Sequence, residues 1–177
     1  MKYFLLGSFS SAFFLFGIAM AYGASGSTRL PAIADALAGR TGSVALAVTA
    51  MGLLAVGFAF KVSAVPFHMW TPDVYQGAPT AVTGFMSAGT KVAAFAAFIR
   101  VFNISFQPIT WDWQPVVGIL AAVSIVAGSV LAIAQTDIKR LLAYSSISHA
   151  GFVLLGLTAA GEAVLRRWVG QLDEVAA

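Results

Sequence analysis

The chain has 177 residues, of which 59% are hydrophobic and only 10% charged, with a mean hydropathy of +0.88. Soluble domains are about 45–50% apolar and roughly 25% charged, so a fold facing water on all sides is excluded and the natural solvent is lipid. The absence of cysteine removes disulfides, thiolate metal sites and a cysteine nucleophile, and the formal charge of +3 is spread too thinly for nucleic-acid binding.

A bilayer core of about 30 Å takes about 20 apolar residues in a helix. The first such stretch, Tyr3–Gly23, lies within MKYFLLGSFSSAFFLFGIAMAYGASG. A lysine followed by an apolar run and small residues also fits a signal peptide. The length of the run and the further spans behind it favour an ordinary membrane helix. After the polar joint SGSTRLPAIADALAGRTG comes a second stretch, Ser43–Phe60, with a possible extension to Val65.

The segment KVSAVPFHMWTPDVYQGAP separates it from the third. Lys61 closes the second stretch. Pro66 removes a backbone donor and disfavours helix at the residue before it, which suggests a helix interrupted at membrane depth. Such breaks occur where they line a protein-enclosed or wet cavity. His68, Trp70, Thr71, Asp73, Tyr75 and Gln76 supply hydrogen-bonding groups there, and Pro72 and Pro79 are expected to keep helix from reforming at once. An interfacial loop with aromatic anchors is the competing reading.

The third stretch, Ala81–Phe102, carries Lys91 near its middle. A lysine at the centre of a spanning helix costs roughly 2.5–3.5 kcal/mol, so it is expected to face the bundle interior. Thr83, Ser87 and Lys91 recur every four residues with Thr90 alongside, a stripe of hydroxyls leading to an amine. A buried amine with a movable partner charge exchanges protons near neutral pH, which is relay chemistry rather than bond cleavage. Snorkelling to the interface is the plainer alternative, and a stronger one for Lys61 than for Lys91.

The joint NISFQPITWDWQ leads to a fourth stretch, Pro115–Gln135, in which Gly118, Ala121, Ala122, Ser124, Ala127 and Gly128 permit close helix approach. After TDIKR, the fifth stretch, Leu141–Gly161, places Ser145 and His149 on one face beside Tyr144 and Ser148. The histidine either titrates near neutral pH or is a neutral ring bonded to a helix carbonyl. Alternating five spans puts Lys2, Lys139 and Arg140 on one side and Arg29, Arg40 and Arg100 on the other, so charge does not fix orientation. Residues 1–161 thus read as an all-α transmembrane region, with one interrupted helix. Residues 162–177 (EAVLRRWVGQLDEVAA) read either as an amphipathic helix at the interface or as a frayed terminus. Neither a zinc-protease HExxH, a GxSxG elbow nor a phosphate-binding glycine loop occurs.

The stretches KVSAVPFHMWTPDVYQGAPTAVTGFMSAGTKVAAF and QTDIKRLLAYSSISHAGFVLLGL resemble the antiporter-like membrane subunits of the proton-pumping NADH:quinone oxidoreductase (respiratory complex I), in particular the subunit N family. The resemblance implies two inverted repeats of five helices, each with a broken helix, and this chain would supply a central piece of such a bundle. It implies proton-translocation roles for Lys61 on the broken helix, Lys91 on the next, Lys2, and Lys139 with His149 near a central polar axis. Pro66, His68, Ser87 and Thr90 would shape the break and its polar surroundings. No cofactor is expected in this chain; NADH, FMN, iron–sulfur clusters and quinone would belong to partner subunits. The partners implied are neighbouring antiporter-like subunits in the bacterial inner membrane, with the loop before Lys2 and the TDIKR joint facing the cytoplasm. The family's glutamate partner for Lys61 would lie before Met1, and the chain departs from the family after Gly161, so a central fragment of such a subunit, or a truncated or mispredicted gene product, is expected. Two other readings stay open: a subunit of a multisubunit cation/proton antiporter, and a non-transporting structural piece.

Overall fold

A computed structural model of the chain describes residues 1–39 and 41–159. Arg40 and the expected amphipathic tail lie outside the described residues. The elements in chain order are α1 (Lys2–Ser25), α2 (Leu30–Ala38), α3 (Val44–Val62), α4 (Trp70–Gly77), α5 (Thr80–Phe85), α6 (Lys91–Ser105), α7 (Thr110–Ile133) and α8 (Ile138–Ala159). A π-turn, Met86–Thr90, joins α5 to α6, and a 3-10 turn, Gln107–Ile109, leads into α7. Five helical segments are long and apolar enough to cross a membrane, the third being the continuous run Thr80–Ser105. The described residues are helical with no strand, an all-α membrane fold.

Two helix pairs form the body of the fold. Lipid offers no hydrophobic drive between helices, so close packing must hold them together. The first pair is α1 with α3. A Cβ on Gly17 would sit 3.0 Å from the Leu54 side chain, and one on Gly57 would strike the Phe14 ring. In the second pair, α7 turns Ala121, Ser124 and Gly128 towards α8, all buried. A Cβ on Gly128 would stand 2.7 Å from the Ser148 nitrogen, and one on Gly151 would stand 2.8 Å from the Ala121 carbonyl oxygen. Of the other small residues of that span, Gly118 faces open space.

Aromatic rings tie the pairs together. Phe58 of α3 stacks on Phe98 of α6 at 4.9 Å, and Phe102 meets Phe98 at 4.6 Å and Trp113 of α7 at 5.5 Å. Outward faces carry Phe4, Leu5, Phe9, Ile119, Val126 and Ile133, all exposed as a lipid-facing surface requires.

Three features differ from the sequence expectation. The joint before α3 contains α2, whose Ile33 and Leu37 are buried against the bundle. Helix also reforms at Trp70, with Pro72 inside α4. Pro72 occupies the first turn, where the missing N–H has no intrahelical acceptor to lose, so the ring is tolerated. Finally, the π-turn widens the third span just before Lys91 and changes which residues share its face.

Candidate functional site

The interruption begins where α3 ends. Ser63 adopts the left-handed conformation, φ 65° and ψ 35°, and stops the helix two residues after Lys61. Backbone groups freed inside a membrane protein must find partners, and here each named group does. The Phe60 carbonyl accepts from the Ser63 nitrogen at 3.2 Å and from Trp70 Nε1 at 3.1 Å. The Val65 nitrogen donates to Ser124 Oγ of α7 at 2.8 Å. Thr71 Oγ1 donates to Ser63 Oγ at 2.7 Å, both residues being fully buried. These bonds pin α4 against the end of α3, with Pro66 exposed in the linking segment.

Lys91 opens α6 and is 6% exposed. Its Nζ donates to Ser146 Oγ of α8 at 2.5 Å and to the Ser146 carbonyl at 3.1 Å. Among the described residues no carboxylate shares this seat. The hydroxyl stripe expected to lead to Lys91 does not reach it. Thr83 Oγ1 donates to the Tyr75 carbonyl at 3.1 Å, Ser87 to Gly84 at 2.9 Å and Thr90 to Met86 at 2.6 Å. The π-turn adds a residue to the turn, so the four-residue spacing no longer makes one stripe.

Lys61 is exposed and makes no ion pair among the described residues. It lines a groove of about 470 Å³ between α1, α3 and α6 that also takes in Ser10, Ser11 and Thr90. Lys91 does not line this groove. The two lysines therefore address opposite sides of the third span, one towards α1 and one towards α8.

At the end of the bundle where α1 and α8 begin, Asp73 of α4 holds two cations. Lys2 Nζ lies 2.5 Å from Asp73 Oδ2, and Arg140 Nη1 lies 2.7 Å from Oδ1. The hydrogen bonds from Lys2 and then Arg140 hold the Asp73 carboxyl below its ordinary value of 3.8. Gln76 bridges the cluster, accepting from Arg140 at 3.2 Å and donating to Asp137 at 3.3 Å. Asp137 caps α8, its Oδ1 accepting from the Lys139 and Arg140 nitrogens at 2.9 and 3.0 Å. Lys139 Nζ donates to the Ala78 carbonyl at 3.1 Å.

His149 Nδ1 lies 2.7 Å from the Ser145 carbonyl, which can only accept, so Nδ1 carries the proton. His68 packs near Tyr144, with ring centroids 6.3 Å apart, and its Nδ1 is buried without a partner among the described residues. Sequence reasoning passed over Asp73, Arg140, Ser146 and Tyr75 as site residues. Tyr75 is 2% exposed, and desolvation pushes its hydroxyl up to about 12, with the Ser146 hydroxyl opposing from close by without forming a well-shaped hydrogen bond. Among the described residues no cluster of three or more His, Asp or Glu side chains could hold a metal.

The family model described as "NADH:quinone oxidoreductase/Mrp antiporter, TM" matches residues 1–172. The chain belongs to this family. Within the NADH:quinone oxidoreductase/Mrp antiporter family, it is 56% identical over 165 residues to NADH-quinone oxidoreductase subunit N of Rhodococcus opacus, covering 93% of this chain and 31% of that protein. It is 57% identical over 159 residues to the subunit N of Mycobacterium bovis, covering 90% of this chain and 30% of that one. The chain thus spans about a third of the length of the curated relatives it matches. Among solved structures, a chain of respiratory complex I from Thermus thermophilus with bound aureothin superposes with a TM-score of 0.75 at 48% identity, covering 92% of this chain and 34% of that one. The Mrp complex from a Dietzia species gives 0.78 at 23% identity, covering 88% and 28%, which speaks for the fold alone. A bacterial, multi-pass inner-membrane protein follows from the family, the relatives and the five spans.

Proposed function

We propose that the chain is part of the subunit N membrane component of an NADH:quinone oxidoreductase and moves protons without performing redox chemistry itself. Within the shared family, subunit N relatives at 56% and 57% identity support placement in that assembly over an Mrp-type antiporter, whose solved complex is 23% identical to this chain. Iron–sulfur clusters fall to other subunits, since these 177 residues offer no thiolates to ligate one.

The observation that carries the mechanism is the seat of Lys91. An amine buried among carboxylates is locked in its charged form, whereas this one rests on a carbonyl and a hydroxyl. The hydroxyl accepts from the ammonium and, once the proton leaves, turns to donate to the neutral amine. Both charge states are thus served without moving a helix. Lys61, in its open groove beside Thr90, is the second amine, its charge set by a carboxylate brought to that groove by the rest of the assembly. Moving one charge across 100 mV costs about 2.3 kcal/mol, and a change of somewhat under two units in proton affinity covers it. Lys139 and His149 carry the proton onward along α8, and Lys2 anchors the entry end through Asp73. His68 and Pro66 hold the break open, Thr90 lines the groove of Lys61, and Ser87 shapes the turn before Lys91 through its bond to the Gly84 carbonyl.

The test is to isolate the native assembly containing this chain, reconstitute it, and supply NADH and quinone. A pH gradient that forms with quinone reduction is the expected result. Proton exchange driven by a sodium or potassium gradient, with no quinone reduction, would establish the antiporter reading instead.

A further inference from the structure

Tyr75 is the one residue of α4 whose side-chain hydroxyl is buried with no hydrogen-bond partner among the described residues. Buried phenols normally find one. The ring cannot simply swing away. It meets Trp70 edge-on at 6.2 Å, Trp70 is tied to the Phe60 carbonyl, and the Tyr75 carbonyl accepts from Thr83 at 3.1 Å. The cluster that encloses it includes Ala143 of α8 and Met86 of the π-turn. Ala143 lies one turn before Ser146, on the same face of α8, so the hydroxyl is held over the residue that seats Lys91.

We propose that Tyr75 is a positioning residue for Lys91: its hydroxyl and that of Ser146 form a two-membered chain ending at the amine. In the charged state Lys91 donates to Ser146 Oγ, and the Ser146 proton turns to the Tyr75 oxygen. In the neutral state the chain reverses: Tyr75 donates to Ser146, and Ser146 donates to the amine. The hydroxyl that lacks a partner is the one this chain needs. It also links the helix after the break to the charge of Lys91, which neither helix achieves alone. This role rests on Lys91 acting as a relay amine.

The titratable and charged groups on the elements around Lys91 are Lys139, Arg140, Tyr144 and His149 of α8, Arg100 of α6, Lys61 of α3, His68 of the break, and Asp73 and Tyr75 of α4. None bonds to its Nζ, whose polar contacts are both on Ser146. Tyr75→Phe removes only the oxygen. In vesicles carrying the intact assembly, proton pumping and quinone reduction are followed from pH 6 to 9. The Ser146–Tyr75 bond exists in both states but is stronger in the charged one, where Ser146 accepts from an ammonium. Losing it therefore moves the alkaline limb of pumping to lower pH by up to about 0.5 unit. Ser146→Ala, which leaves the ring in place, moves the limb in the same direction, and Tyr75→Phe adds nothing further in that background. A Tyr75→Phe profile that overlays the wild type, or additive effects in the double variant, overturns the role. Lys91→Ala separates the two levels. If it pumps normally, the relay reading itself falls. If it abolishes pumping while Tyr75→Phe is unchanged, only the role of Tyr75 falls.

Discussion

The packing of α7 on α8 yields a sharp prediction, because one substitution made at two glycines of one helix should have opposite effects. A Cβ on Gly128 would stand 2.7 Å from the Ser148 nitrogen and 3.0 Å from its Cα and Cβ. Those neighbours are helix backbone or sit directly on it, so no rotamer change relieves the contact. Ordinary carbon contacts begin near 3.4 Å, so the helices must separate by several tenths of an ångström along their seam. Overpacking of this kind costs about 1–3 kcal/mol, and in lipid no hydrophobic term offsets the lost contacts. At Gly118, ten residues earlier in the chain, a Cβ meets nothing within 4 Å. There the higher helix propensity of alanine, up to about 1 kcal/mol, is free to act. Gly128→Ala and Gly118→Ala are to be compared by thermal unfolding of the purified protein in one detergent. Gly128→Ala is expected to lower the midpoint and Gly118→Ala to leave it or raise it. Equal midpoints for the two variants would refute the seam as described. The stake is functional too, since Ser148 lies two residues from Ser146, the seat of Lys91.

Other predictions follow from single bonds. Ser124→Ala orphans the Val65 nitrogen inside the protein and should cost about 1–3 kcal/mol in denaturant unfolding; a neutral result would mean the break has another acceptor. Asp73→Asn removes both ion pairs of the cluster, a loss of roughly 0.2–1 kcal/mol for each exposed pair that shrinks in high salt. Because the Asp73 carboxyl is held below 3.8 in the fold, its contribution is full above that pH and is lost as pH falls through the lowered value. The midpoint difference between wild type and Asp73→Asn is therefore flat from pH 8 to 5 and closes only in stronger acid. Lys61→Ala should leave the unfolding midpoint nearly unchanged, since its side chain has no ion-pair partner here, yet depress quinone-linked proton pumping in vesicles; unchanged pumping removes its assigned role.

What the sequence disclosed and what it withheld divides along physical lines. Long apolar runs announce spanning helices because lipid sets their length, and a lysine among them is too costly to be incidental. Pro66 likewise marks a break, since its ring constrains the residue before it. The π-turn at Met86–Thr90 has no such signature. Its residues are compatible with plain α-helix, so the stripe of Thr83, Ser87 and Lys91 looked continuous when it is not. Pro72 misled for a different reason: a proline stops a helix from its interior but sits comfortably in its first turn. Contacts across the fold were the least legible. Arg140 and Asp73 are 67 positions apart and Lys91 and Ser146 are 55 apart, and no periodicity within one helix reveals such a pair. The second serine of YSSIS could have drawn notice as a hydroxyl inside a span, but nothing in the sequence says which neighbour it faces.

In the proposed mechanism Lys91 gains and loses a proton while seated on neutral groups. The most direct test is the number of protons pumped per quinone reduced, measured in vesicles carrying the intact assembly with Lys91→Met. The long apolar side chain keeps the volume and removes the proton site. The predicted result is quinone reduction that has lost most of its proton pumping, in assemblies that still form. A wild-type ratio of protons to quinone with Lys91→Met in place would contradict the account.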